Sequence, residues 1–104
     1  MVKEKNIIRI VFLSFEGEYL NGLRNGKAKE YYDNGKLKFE GEYLNGKKNG
    51  IAKEYHDNGK LEFEGEYFNG RRDNGIEYDY NGKIIHSGKY EYNDNVKLRF
   101  EGEY

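Results

Sequence analysis

One string recurs along this chain and fixes what it can fold into. FEGEYLNG stands at Phe15–Gly22 and again at Phe39–Gly46, and FEGEYFNG follows at Phe63–Gly70, each copy 24 residues after the last. The linking segments NGKAKEYYDNGKLK (25–38) and NGIAKEYHDNGKLE (49–62) match almost position for position. The next stretch, RRDNGIEYDYNGKIIHSGKY, is degenerate and aligns with one added and two missing residues. EYNDNVKLRFEGEY (91–104) then copies EYHDNGKLEFEGEY (54–67), with Val96 where Gly59 stood. Such a period is tandem duplication, and it takes precedence over any local pattern. The chain reads as one repeat domain, 1–104. It divides into an N-terminal strand segment (1–14), repeats at 15–38, 39–62 and 63–86, and a truncated terminal repeat (87–104).

The repeat must fold on little apolar material. Leu, Ile, Val and Phe together make 23 of 104 residues, close to the level of about 20% below which disorder is expected. Against that stand 11 Tyr, 6 Phe and a net charge of only -1, whereas disordered chains are poor in aromatics and rich in net charge. The expectation is an ordered protein whose thin core is built from Tyr and Phe. The near-zero charge argues against nucleic acid as a partner. The absence of Cys removes disulfides, thiolate metal sites and cysteine nucleophiles. The most apolar run, IIRIVFL at 7–13, is short and interrupted by Arg9, so it reads as a strand and not as a membrane span or secretory signal.

Within each unit the run LKFEGEY alternates Leu37, Phe39, Gly41 and Tyr43 with Lys38, Glu40 and Glu42, the period of a half-buried strand. AKEYH at 52–56 is a shorter strand, and Asp57-Asn58-Gly59-Lys60 joins it to the next. Asn-Gly between alternating segments signals a type I′ hairpin turn. The stretch Asn45–Gly50 reads as a longer glycine-containing loop. The fold class expected is all-β: an elongated single-layer antiparallel meander of tandem hairpins, about eight strands in all.

Two registers compete. A two-residue Asn58-Gly59 turn sets Glu54 opposite Phe63, Ala52 opposite Gly65 and Lys53 opposite Glu64. It also sets Tyr55 opposite Glu62, and one repeat earlier Lys29 opposite Glu40 and Lys27 opposite Glu42. Recurring cross-strand ion pairs favour it, although it leaves Glu30 and Glu54 on the aromatic face. A three-residue loop with a bulge would pair Tyr55 with Leu61 and Lys53 with Phe63 instead. Gly17, Gly41, Gly65 and Gly102 fall in mid-strand between two aromatics, where glycine is unfavourable. Their recurrence suggests that rings of a neighbouring strand lie over the bare backbone.

Chemistry is scarce. Glu16/Glu18, Glu40/Glu42, Glu64/Glu66 and Glu101/Glu103 pair carboxylates on one strand face. Equivalent pairs stand two strands apart, about 9.6 Å, with Lys27, Lys29 and Lys53 between them, which reads as a solvated ion-pair ladder. His56 and His86 are not equivalent positions: an offset of 23 sets His86 on Phe63. No nucleophile elbow, phosphate loop or metal spacing is present. The expectation is no enzyme, no metal and no cofactor.

The unit FEGEYLNGKKNGIAKEYHDNGKL resembles the MORN repeat, and more closely its short bacterial-type variant with a Tyr-x-x-Asn-Gly-Lys core. The matching positions are Phe39, Gly41 and Tyr43, the loop glycines Gly46 and Gly50, and the turn Asn58-Gly59. The aromatic that usually follows the loop glycine by two residues is replaced by Ala28 and Ala52. The resemblance implies an elongated sheet of stacked hairpins that scaffolds protein–protein contacts, with membrane association often proposed and no catalytic role.

From this follow the functional expectations. The leading one is a non-enzymatic interaction or scaffold module, because a one-layer sheet cannot cover both faces and exposed apolar patches mark partner sites. Its contact residues would be Phe39, Tyr43, Phe63 and Tyr67. A protein partner or a second copy would dock on that aromatic face, or on the terminal edge strand Leu98–Tyr104. The alternative is peripheral binding to anionic membrane through a positive stripe of loop residues, Arg24, Lys47, Lys48, Arg71 and Arg72. An antitoxin-like inhibitor of a bacterial toxin is a third, carried by resemblance alone. The lack of Cys and of a signal segment points to the cytoplasm.

Overall fold

Two kinds of turn alternate along the chain, and they set everything else. A computed structural model describes residues 7–11 and 14–92. Among these, nine antiparallel strands form one open sheet: β1 (Ile7–Val11), β2 (Phe15–Leu20), β3 (Leu23–Tyr31), β4 (Leu37–Leu44), β5 (Lys47–Lys48), β6 (Gly50–Tyr55), β7 (Leu61–Phe68), β8 (Arg71–Tyr78) and β9 (Ile84–Lys89). The spatial order is β1-β2-β3-β4-β6-β7-β8-β9, with β5 also paired to β4. This is the meander expected. The terminal strand Leu98–Tyr104 and its glycine lie outside the described residues.

The turns exchange the roles the sequence suggests. Asn21-Gly22, Asn45-Gly46 and Asn69-Gly70 all have positive φ at both residues, near 53° and 85° at the first of them. These are the two-residue type I′ turns, closing the pairs Leu20↔Leu23, Leu44↔Lys47 and Phe68↔Arg71. The stretch 45–50 is therefore a tight turn followed by a bulge, not a long loop. Asp57-Asn58-Gly59 is instead a three-residue loop. His56 N–H donates to Lys60 O at 2.8 Å, Gly59 N–H donates to His56 O at 2.9 Å, and only Gly59 has positive φ. Glycine after a type I turn in the left-handed region makes a G1 bulge. The Asn58 amide oxygen reinforces it by accepting from Lys60 N–H at 2.9 Å.

The bulge reconciles the competing registers. Glu54↔Phe63, Lys53↔Glu64 and Ala52↔Gly65 pair as in the first, and Tyr55↔Leu61 as in the second. A second bulge sits beside each type I′ turn. Between the pairs Gly17↔Ala28 and Tyr19↔Arg24, three residues of β3 oppose one of β2. Between Glu66↔Asn74 and Tyr67↔Arg72, one residue of β8 opposes none. The degenerate repeat thus needs a single loss, in this bulge, and beyond it the offset is 23. Glu77 consequently faces His86 as Glu54 faces Phe63.

On one face the register lines up three rows across the strands. The first alternates Phe15, Glu30, Phe39, Glu54, Phe63, Glu77 and His86. The second is nearly bare: Gly17, Ala28, Gly41, Ala52, Gly65, Gly75 and Gly88. The third alternates Tyr19, Tyr43 and Tyr67 with Arg24, Lys48 and Arg72. Each Phe leans over the glycine two residues on in its own strand. A Cβ on Gly41 would stand 2.8 Å from Phe39 Cζ and 2.9 Å from the Ala52 Cβ. The covering ring is therefore not a neighbouring strand's, because a two-residue spacing puts both on one face and the ring is long enough to reach. Ala28 and Ala52 are buried because they wall this recess. A larger side chain would leave no place for the ring.

Gly65 is tighter still, since an added Cβ would lie 2.1 Å from Asn74 O and 2.5 Å from Gly75 Cα. Gly65→Ala is expected to destabilise the protein by about 3 kcal/mol, from overpacking against backbone. Gly59→Ala meets no atom within 4 Å and should cost only the left-handed penalty of about 1–2 kcal/mol. Urea denaturation of the two variants measures the order; equal costs would refute this account of the mid-strand glycines.

Candidate functional site

The aromatic face is sealed by its own side chains. Phe39 and Phe63 are fully buried, and Tyr43 and Tyr67 are 8% and 9% exposed. The four residues expected to form a docking face are thus core. A one-layer sheet achieves this because each Phe is capped from above. The Arg24 guanidinium lies 4.0 Å from the Phe15 ring centroid, Lys48 Nζ 4.3 Å from that of Phe39, and the Arg72 guanidinium 4.5 Å from that of Phe63. Cation–π contacts of this kind contribute about 0.5–2 kcal/mol each, more as water is excluded. Edge-to-face contacts close the sides, with Phe39 5.9 Å from Tyr43 and 6.2 Å from Tyr67.

This explains the acids on the aromatic face. Glu54 reaches across the bare row, accepting from Tyr67 OH at 2.7 Å and from Arg72 at 2.7 Å, with Lys48 at 3.3 Å. Glu30 takes the same role with Tyr43 OH and with Arg24 at 3.2 Å. Glu77 takes it with Tyr90 OH at 2.8 Å and Arg72 at 3.4 Å. Burial pushes the Glu54 carboxyl up, but the bonds from Tyr67 and Arg72 and the charges of Arg72 and Lys48 outweigh it and hold it below the usual range. Burial, then the bond each hydroxyl donates to its partner carboxylate, pushes Tyr43 and Tyr90 up to about 12 and Tyr67 upward as well.

The positive stripe is correspondingly smaller than expected. Arg24, Lys48 and Arg72 turn onto the aromatic face, where they cap rings and pair with Glu30, Glu54 and Glu77. Pairing Tyr19 with Arg24, Tyr43 with Lys48 and Tyr67 with Arg72 forces this, since antiparallel partners share a face. Only Lys47 and Arg71 stay on the opposite face at the rim, beside Leu44 and Phe68. There Lys47 Nζ reaches Asn69 Oδ1 at 3.4 Å, and Arg71 lies 4.0 Å over the Tyr92 ring.

The opposite face carries Glu16, Glu18, Lys27, Lys29, Glu40, Glu42, Lys53, Glu64 and Glu66 in the register expected. Strands bearing acids alternate with strands bearing lysines, and Lys53 stands 3.9 Å from Glu64 with both half exposed. A groove of about 550 Å³ runs over it, its floor the backbone of Ala28, Gly41 and Ala52. Among the described residues no three His, Asp or Glu side chains come together as a metal site. His56 and His86 are apart in role. His56 donates from Nε2 to Tyr78 O at 2.9 Å, whereas His86 stacks on Tyr90 with centroids 3.9 Å apart.

The surface that sequence reasoning missed is the rim of the type I′ turns. Leu23, Leu44 and Phe68 are 49%, 51% and 67% exposed, on the charged face at one end of the strands, in the row of Lys47 and Arg71. The signal was present, because Leu20, Leu44 and Phe68 are the one apolar residue of each repeat that immediately precedes Asn-Gly.

The repeat family is decided on this geometry and on direct comparison. The family model described as MORN repeat variant matches residues 24–45 and 48–69, and that described as MORN repeat matches 63–83. This chain belongs to the MORN repeat family. A search of curated proteins finds no match. In this MORN chain the matched spans include the cations Arg24, Lys48 and Arg72 and the acids Glu30, Glu54 and Glu77 of the capping sets, while Phe15 and Tyr90 lie outside them.

Acid should expose the role of Glu54. Its folded carboxyl is held below the unfolded value of 4.5, so its contribution is present in full above that pH and lost as pH falls through the folded value. Glu54→Gln should flatten the acid limb of the stability profile in chemical denaturation. For the tyrosines the sign reverses: raised folded values mean stability present below about pH 10 and lost as pH rises through about 12 at Tyr43 and Tyr90. An unchanged acid limb in Glu54→Gln would refute the capping role of that carboxylate.

Proposed function

We propose that this MORN chain is a non-enzymatic protein-interaction module, and that it meets its partner along the rim of the type I′ turns and not through the aromatic face. The observation that carries this is the sealing of that face. With Phe39, Tyr43, Phe63 and Tyr67 buried, docking there would mean dismantling the core. Leu23, Leu44 and Phe68 remain exposed in one row instead, and apolar rows of this kind mark contact sites. The family's general character as a module for protein or membrane contacts supports the reading. So does the charged face, where the lysine-bearing strands β3 and β6 stand between the carboxylate pairs of β2, β4 and β7.

The membrane alternative keeps only Lys47 and Arg71 of its five basic residues at the surface it needs. At about 1 kcal/mol per charge near an anionic bilayer, two cations give a weak anchor.

The test is a pair of rim variants. Leu44→Ser with Phe68→Ser should leave circular dichroism and melting unchanged while reducing affinity for an isolated partner at least tenfold, as expected for two lost apolar anchors. Undiminished binding would overturn the rim reading. Pelleting with anionic vesicles that is abolished by Lys47→Gln and Arg71→Gln would replace it with the membrane one.

A further inference from the structure

The type I′ turns are chemically alike and structurally unequal. The chain holds nine Asn-Gly pairs. This is the sequence in which the next backbone nitrogen can attack the asparagine side chain, because glycine has no side chain to hinder it. Three of the nine, Asn21-Gly22, Asn45-Gly46 and Asn69-Gly70, share turn type, exposure and a preceding bulky apolar residue. The repeats hold two of these three shut. Asn45 N–H donates to the Asn25 amide oxygen at 2.9 Å and Gly46 N–H donates to Arg24 O at 2.8 Å. Asn69 N–H and Gly70 N–H donate to the Asn49 amide oxygen and Lys48 O at 3.1 and 3.0 Å. Side chains also lie against these turns. Leu23 is 3.5 Å from where a Cβ would stand on Gly46, and Lys47 is 3.7 Å from that point on Gly70.

Asn21-Gly22 is the first turn, and among the described residues no preceding bulge stands behind it. Among the described residues no acceptor takes its Gly22 N–H and no atom lies within 4 Å of a Cβ on Gly22. The other pairs are occupied. Gly35, Gly59 and Gly82 donate within their own turns, Asn25 and Asn49 are the bulge residues already engaged, and Asn74-Gly75 lies within β8.

We propose that Asn21 is a site of spontaneous deamidation, protected at the equivalent Asn45 and Asn69 by the hydrogen bonds between repeats. The Gly22 amide nitrogen, having lost its proton to solvent base, attacks Asn21 Cγ. The new N–Cγ bond forms as the Cγ–Nδ2 bond breaks, and Nδ2 leaves as ammonia. Water then opens the succinimide at either carbonyl, giving aspartate or isoaspartate. The overall change consumes one water and releases one ammonia. Ring closure requires the backbone to leave the left-handed turn geometry, so the rate follows the population of the opened turn. Two lateral hydrogen bonds hold that population down at Asn45 and Asn69. The product carries a new carboxylate at the end of the rim beside Leu23.

The experiment ages the intact protein in mildly alkaline buffer made with oxygen-18 water and maps its peptides by mass spectrometry. The Asn21 peptide should convert to aspartate and isoaspartate forms with heavy oxygen at least about tenfold faster than those of Asn45 and Asn69, the ratio expected for two hydrogen bonds of ordinary net strength. In concentrated urea the three rates should converge. Asn25→Ala, checked for fold by circular dichroism, should raise the Asn45 rate towards that of Asn21. Equal rates for the three in the folded protein, or an Asn45 rate unmoved by Asn25→Ala, would overturn the proposal.

Discussion

A phenylalanine ring laid over a glycine of its own strand is the contact on which this structure rests. It lets one layer of sheet own a core. In a sandwich the apolar face of a sheet is covered by a second layer. Here Phe15, Phe39 and Phe63 lie low enough, over Gly17, Gly41 and Gly65, to be covered by residues of the same face. The fold can afford few aliphatic side chains because its burial is aromatic and its lid is ionic.

That lid is the reason charged residues stand where a core face would exclude them. An unpaired carboxylate among aromatic rings would be strongly unfavourable. Glu54 is acceptable because Tyr67, Arg72 and Lys48 converge on it. The same cations lie over the rings, so each one serves an acid and a ring together. Because Arg72 contacts both Glu54 and Glu77, adjacent repeats are coupled through it, in addition to the backbone ladder. Lateral bonds at both rims add to this: Asn25 and Asn49 reach the next type I′ turn, and Tyr32 and His56 reach the next unit's carbonyls at 2.6 and 2.9 Å. Stability in such arrays is a sum of neighbour terms, and among the described residues the first turn has no neighbour of the kind the others have.

The bulges have the same logic. Extra residues beside each type I′ turn break the strand register locally, which sends Asn25 and Asn49 sideways to the adjoining repeat, while pairing across the turn itself sets Arg24 and Lys48 on the aromatic face. The third repeat has a shorter bulge, and its Asp73 carries out a different contact, to Lys89 at 3.1 Å. Sealing one face leaves the rim, where Leu44 and Phe68 alternate with Lys47 and Arg71, and the charged surface as the faces open to solvent.

The duplication, the all-β class, the cross-strand pairs and the equivalence of His86 with Phe63 were legible in the residues alone, because a period of 24 and an alternation of two are properties of order along the chain. The sequence also contained Leu20, Leu44 and Phe68, the apolar residue before one Asn-Gly of each repeat and the trace of the rim. Which Asn-Gly became type I′ and which a three-residue loop was not legible, since both contain the same dipeptide and differ by where the ladder resumes. Nor was the fate of Arg24, Lys48 and Arg72. Their neighbours in sequence read as loop residues, and only the tight two-residue turns, which pair them with Tyr19, Tyr43 and Tyr67, set them over the rings. Tertiary structure alone decided that the aromatic face is closed, because closure depends on groups far apart in the chain meeting across a row that has no side chains.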